Sequence, residues 1–100
     1  METKKLEKTI INLIPKGEDN RITSTEIKKL TGHNGATIRK CINQMRANFI
    51  PIASDSRGYF FAENQQELDH TIAQINSRIH HMIKAREGLK KAQKLMKEKK

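Results

Sequence analysis

The sequence predicts a mainly α-helical fold with one small β-hairpin, closed by a long C-terminal helix of coiled-coil type. Three observations predict it. Apolar residues recur at steps of three and four in four separate segments, the spacing that lines one helix face. A single stretch, "FIPIASDSRGYFFA" from Phe49 to Ala62, alternates instead and is split by a cluster of turn residues. From Asn64 onward there is no proline, and Leu68, Ile72, Ile75, Ile79, Met82, Leu89 and Met96 follow steps of four and three, interrupted at Arg86 and Gln93.

Each element has its own warrant. Residues 3–14 place Leu6, Ile10, Leu13 and Ile14 on one face, and Pro15 with Gly17 ends that helix. "KGEDN" reads as a polar loop, and Arg21–Thr23 as a strand of one or two bridge residues. Thr23 or Ser24 caps a second helix with Glu26 in its first turn, where the dipole favours an acid, and with Ile27 and Leu30 facing inward. Gly32 stops it. Asn34 is a good N-cap for a third helix running to about Asn48. In the hairpin, Ile50 and Ile52 alternate, Ser54–Gly58 forms a loop of five residues, and Tyr59–Ala62 is the return strand. Pro51 cannot donate to a ladder, so the first strand is an edge strand or pairs on one side only. Tyr59 and Phe61 share one face and Phe60 takes the other, which suits packing against helices 1 and 3 better than base stacking.

The long helix begins at Asn64, with Glu67 three residues on in the capping-box position. Its heptad register places residues 68, 75, 82, 89 and 96 at one core position and 72, 79, 86 and 93 at the other. Arg86 and Gln93 weaken the seam beyond residue 83, so Leu68, Ile72, Ile75, Ile79 and Met82 are the expected contacts of a homodimer. Such a stripe cannot stay in water. It must pack on its own domain or on a second copy. The chain thus divides into a domain over 1–63 and a basic helix over 64–100.

One hundred residues hold one modest core. The net charge of +9 is unevenly spread. Residues 1–83 carry twelve Lys and Arg against nine acids, whereas residues 84–100 carry eight against two. Whole-chain basicity is therefore weak evidence for nucleic acid. More telling is Lys28–Arg57, with six basic residues and only Asp55 against them. Cys41 is the sole cysteine, which excludes an internal disulfide and a thiolate zinc site, and its spacing with Ile38, Ile42 and Met45 makes it a small core residue. No apolar run spans a bilayer and "METKKLEKTI" lacks a signal-peptide core, so the expectation is a soluble cytoplasmic protein without membrane contact.

Helix 2, a short turn, helix 3 and the hairpin make a helix-turn-helix followed by a wing. Over Arg21–Ala62 the chain resembles the winged helix-turn-helix domains of bacterial and phage DNA-binding proteins, in the subgroup typified by the biotin-repressor N-terminal domain. The resemblance rests on Ser24-Thr25-Glu26-Ile27 opening helix 2, Thr37-Ile38-Arg39-Lys40-Cys41-Ile42 in helix 3, and Gly58-Tyr59 opening the last strand. Length, basic composition and the appended helix are similar to small phage-encoded members, which implies a bacterial host cell, a recognition role for helix 3 and a double-stranded DNA partner.

The residues of helix 3 suit that role. Ile38, Cys41, Ile42 and Met45 cluster on one face; Ala36, Lys40, Asn43 and Ala47 lie opposite, with Thr37, Arg39 and Gln44 on the flanks. Lys, Arg, Asn and Gln pair with guanine and adenine edges in the major groove. No acid occurs from Thr31 to Asn48. The expected contacts are Asn34, Gly35, Thr37, Arg39, Lys40, Asn43 and Gln44, with Arg57 of the 54–58 wing on adjacent phosphates or a minor groove. Two-fold pairing implies an inverted-repeat site, serving transcription control or replication initiation.

Four histidines without ligand spacing, no phosphate-cradling glycine loop and no nucleophile set give no metal, no cofactor and no enzyme. The rival reading is a protein-binding module whose apolar helical seam engages a host replication or transcription protein. Salt-dependent binding to generic duplex separates the two.

Overall fold

Helix α1 (Glu2–Leu13) buries Leu6 and Ile10, with Ile14 buried just beyond it, and stops at Pro15. These features come from a computed structural model describing residues 2–98; Met1 and the last two lysines of the basic tail, Lys99 and Lys100, lie outside the described residues. After Pro15 the chain runs beside the later hairpin: Phe61 N–H donates to Pro15 O at 2.7 Å and Gly17 N–H to Phe61 O at 2.9 Å. Gly17 has φ 88°, a conformation glycine adopts without a Cβ penalty. The expected polar loop is partly ordered as a 3₁₀ turn, Glu18–Asn20.

Ile22 then forms a single bridge with Tyr59, bonded in both directions at 2.9 and 2.8 Å. Helix α2 (Ser24–Thr31) starts from a full capping box: Glu26 N–H donates to Thr23 Oγ1, and Thr23 N–H donates to the Glu26 carboxylate, both at 3.1 Å. Ile27 is fully buried, but Leu30 is 62% exposed and corrects the inward placement predicted for it. Helix α2 is only eight residues long, and Thr31, one helical turn after Ile27, takes the half-buried position while bonding Ile27 O at 2.8 Å. Gly32, at φ 74°, closes α2.

Helix α3 (Gly35–Ala47) is capped by Asn34, whose Oδ1 accepts from Thr37 N–H at 2.9 Å. Its predicted inner face is the observed one: Ile38, Cys41, Ile42 and Met45 are all buried. Burial, with the charge of Glu7 adding to it, pushes the Cys41 thiol above its ordinary pKa, as befits a core residue. The helix ends in a Schellman motif, with Ile50 N–H to Met45 O and Phe49 N–H to Arg46 O. The left-handed position that glycine normally fills is Phe49, at φ 71° and 94% exposed. That backbone costs an L-residue about 1–2 kcal/mol.

Strands β1 (Ile52–Asp55) and β2 (Gly58–Phe61) form the antiparallel hairpin. The loop is two residues, Ser56 and Arg57, rather than five. Asp55 Oδ1 accepts from Arg57 N–H at 2.8 Å and Gly58 N–H at 3.1 Å, so the ladder continues to the tip. Ile50 is drawn out of the strand by its bond to α3. A side chain at Gly58 would collide with the Ile22 carbonyl, which explains glycine there. Ile52 is buried in the core, with Tyr59 and Phe61 packed against it, and Phe60 is buried on the opposite face. The outer edge of β1 is covered by side chains: Arg46 Nε donates to Ile52 O at 2.8 Å, and Thr71 Oγ1 accepts from Ser54 N–H at 3.0 Å while lying 3.2 Å from Ser54 O.

Helix α4 (Gln65–Glu98) has 34 residues, about 51 Å at the α-helical rise. Asn64 Oδ1 accepts from Glu67 N–H at 2.9 Å, but the Glu67 carboxylate accepts from Glu63 N–H at 2.8 Å and Glu18 N–H at 3.2 Å rather than closing the reciprocal box. Only Thr71 is buried along α4; Leu68 and Ile75 are half-buried. No helix of the described residues is long and apolar enough to cross a membrane.

Candidate nucleic-acid interface

The face of α3 opposite its buried residues is free. Thr37, Arg39, Lys40, Asn43 and Gln44 are all exposed. Beside this face lies a groove of about 490 Å³ whose other walls are the start of α2, the hairpin tip and one residue of α4. Arg39, Asn43 and Arg57, three of the predicted contacts, meet there. Lys40, Thr37 and Gln44 do not line it; they continue the exposed face of α3 away from the hairpin.

Two predicted contacts have other work. Asn34 Oδ1 is committed to capping α3, leaving only its amide N–H groups free. Gly35 lies where a Cβ would stand 3.1 Å from both Arg39 Nη1 and Lys28 Cε. Its lack of a side chain lets a cation from α2 and one from α3 approach each other.

Two further arginines join the groove. Arg46 lines it two turns after Arg39, and Arg78 reaches it from α4. The spacing Arg39, Asn43, Arg46 is i, i+4, i+7, a stripe readable in the sequence. Arg78 had no such signal: it arrives because Thr71, two turns earlier on α4, is fastened to Ser54. The Arg46 guanidinium spans Ile52 O and Ser54 Oγ at 2.8 and 3.0 Å. Burial lowers its pKa, the Tyr59 hydroxyl opposes that, and the neighbouring charge of Arg78 adds to it, yet a guanidinium keeps its proton at neutral pH.

The groove has one acid, Asp55, and it is already paired. Arg21 Nη2 lies 2.7 Å from its carboxylate. Burial works against the charge of Asp55, but the Arg57 N–H, the Arg21 hydrogen bond and charge, and the Gly58 N–H outweigh it and hold the carboxyl below its ordinary value. Among the described residues, Arg39, Arg46, Arg57 and Arg78 have no acid within ion-pair distance. The start of α2 adds the exposed hydroxyls of Ser24 and Thr25, at a helix end where the Glu26 carboxylate already closes the capping box. The arrangement is therefore an open, uncompensated cationic trough. Among the described residues no group of three or more His, Cys, Asp or Glu is placed to hold a metal.

The predicted pairing residues divide. Leu68 and Ile75 turn partly toward their own domain, whereas Ile72, Ile79 and Met82 are 52%, 49% and 73% exposed. Comparison with known proteins returns no match, whether to a family model, a curated protein or a solved structure.

Proposed function

We propose that the chain is a winged helix-turn-helix protein that binds double-stranded DNA, with α3 in the major groove and the hairpin tip on neighbouring phosphates or the minor groove. The observation that carries this reading is the trough. Four arginines with no acid in ion-pair distance among the described residues, the amide of Asn43 and the hydroxyls of Ser24 and Thr25 converge beside an acid-free helix face. Guanidinium groups neutralise phosphates, while Lys40 and Asn43 are suited to base edges. Two copies joined through α4 would read an inverted repeat, in phage or bacterial transcription control or replication initiation.

Titration of a generic duplex at several salt concentrations tests it. Affinity should fall steeply with salt, and Arg57→Ala should reduce the log–log slope by about one for its lost phosphate contact. Lys40→Ala and Asn43→Ala should each remove ~1–3 kcal/mol of sequence discrimination while leaving the melting temperature unchanged. Binding that is absent at low salt overturns the reading. It would favour the second one, a protein-binding module, for which the exposed Phe49 is the supporting observation.

A further inference from the structure

A second groove, of about 260 Å³, lies between the α3–β1 connection and the first turns of α4. Phe49, Ile50, Pro51, Leu68, Ile72 and Ile75 make most of its lining, with Arg46 and Thr71 as its polar members, so it is mainly apolar. Phe49 forms its outer wall while exposed and held in a left-handed backbone. Backbone strain at a bulky exposed aromatic points to a use for that side chain. Further along α4 the apolar stripe continues uncovered through Ile79, Met82, Ile83, Leu89 and Met96.

The charge of α4 indicates what covers both. Residues 65–83 carry one arginine against two acids, whereas residues 84–100 carry eight bases against two acids. A parallel pair of α4 helices would lay two strongly basic halves side by side and set Arg86 against its own copy in the seam. An antiparallel pair lays each basic half along the slightly acidic half of the other copy. Heptad geometry accommodates the same choice. With a two-fold axis near residue 84, the layers pair Ile72 with Met96 and Ile79 with Leu89, while Arg86 faces Met82 and Gln93 faces Ile75, so that neither polar residue meets its own copy. Asp69 then flanks Lys97, and Ile83, the exposed isoleucine beside the seam, meets Ile83 of the second copy.

We propose that α4 pairs antiparallel with α4 of a second copy, so that the C-terminal stretch around Gln93 and Met96 of each chain seats in the Phe49 groove of the other. Ala85 and Ala92 occupy the flank that passes the domain, where small side chains allow close approach. Phe49 closes over the incoming helix, and its burial there gives a use to the aromatic ring that the end of α3 holds exposed. The two domains then sit at opposite ends of the pair, with the Thr71 positions about 39 Å apart along the helix axis. This inference rests on self-pairing through α4, as proposed above, and not on DNA recognition.

Sedimentation of the full chain combined with oxidative cross-linking tests it. The parent should sediment as a dimer at tens of micromolar. Ile83→Cys should cross-link to its own copy. Met96→Cys should not, because the two positions would lie about 36 Å apart. Cys41, being buried, serves as the internal control that stays unlinked. Phe49→Gly suits the backbone at that position, so the domain should fold at least as well, while the dimer dissociation constant should rise about tenfold, as for loss of an interface anchor. A parent that sediments as a monomer overturns both the pairing and its polarity. A dimer that cross-links through residue 96, or fails to through residue 83, overturns the polarity alone. Unchanged dimerisation of Phe49→Gly overturns the seating in the groove. Duplex binding, measured separately, is independent of all three.

Discussion

The domain before residue 64 and the helix after it contain similar kinds of apolar residues but spend them differently. In the first, Ile10, Ile27, Ile38, Ile42, Met45 and Ile52 are each less than 2% exposed. In the second, Thr71 alone is buried. The short helices α1, α2 and α3 depend on mutual burial, since segments of 8–13 residues are marginal in isolation. Helix α4 is long enough to keep most of its backbone bonds without a neighbour. It therefore projects from the domain, and the radius of gyration is 17.6 Å against about 13 Å for a compact chain of this length. Apolar side chains thus report a fold in one region and an unfilled surface in the other.

The contrast predicts a graded set of effects. Ile38→Ala or Ile42→Ala should cost about 2–5 kcal/mol in urea unfolding, as for large-to-small changes in a packed core. Ile79→Ala in α4, measured below the association range, should change stability by less than about 0.5 kcal/mol as a surface substitution. Equal losses at the two sites would erase the distinction. Thr71→Val keeps the shape of the side chain but removes the hydroxyl from Ser54, leaving a strand-edge amide without its partner; about 1–3 kcal/mol should be lost. Hydrogen exchange at Ser54 should accelerate in parallel.

The smallest effect should be acid sensitivity at the hairpin tip. The carboxyl of Asp55 is held below its ordinary value of 3.8, so its contribution is fully present above that pH and is lost as pH falls through the lowered value. Asp55→Asn should flatten the stability profile in that window and lower stability near neutrality, where the contribution of the charged carboxylate is fully present. A melting curve equally steep in acid for both proteins would rule out this role for the Arg21–Asp55 pair.

Most of the first region was legible from residue order because its determinants are local. Thr23 with Glu26, Gly32 and Asn34 terminate helices through their own side chains or backbone, and the 3.6-residue period picked out Ile38, Cys41, Ile42 and Met45. Errors arose where residue type and spacing do not by themselves fix the geometry. Leu30 has the spacing of a core residue, but no third layer covers it. The hairpin loop shrank because Asp55 caps its backbone amides, which composition alone does not reveal. The trough was half legible: Arg39, Asn43 and Arg57 stood out by type, whereas Arg78 depends on how α4 is fastened to β1. Phe49 carried no warning, since its backbone is set by the end of α3.

The hydroxyl of Thr71 also has a consequence for how the chain is made. During synthesis the hairpin leaves the ribosome before residues 65–78 do, and until they follow, the Ser54 backbone groups on the outer edge of β1 have no cover from α4. An open strand edge is a template for another nascent chain. By engaging the Ser54 backbone groups, the first turns of α4 take that template away, so shortening the chain before Thr71 should promote association through the β1 edge.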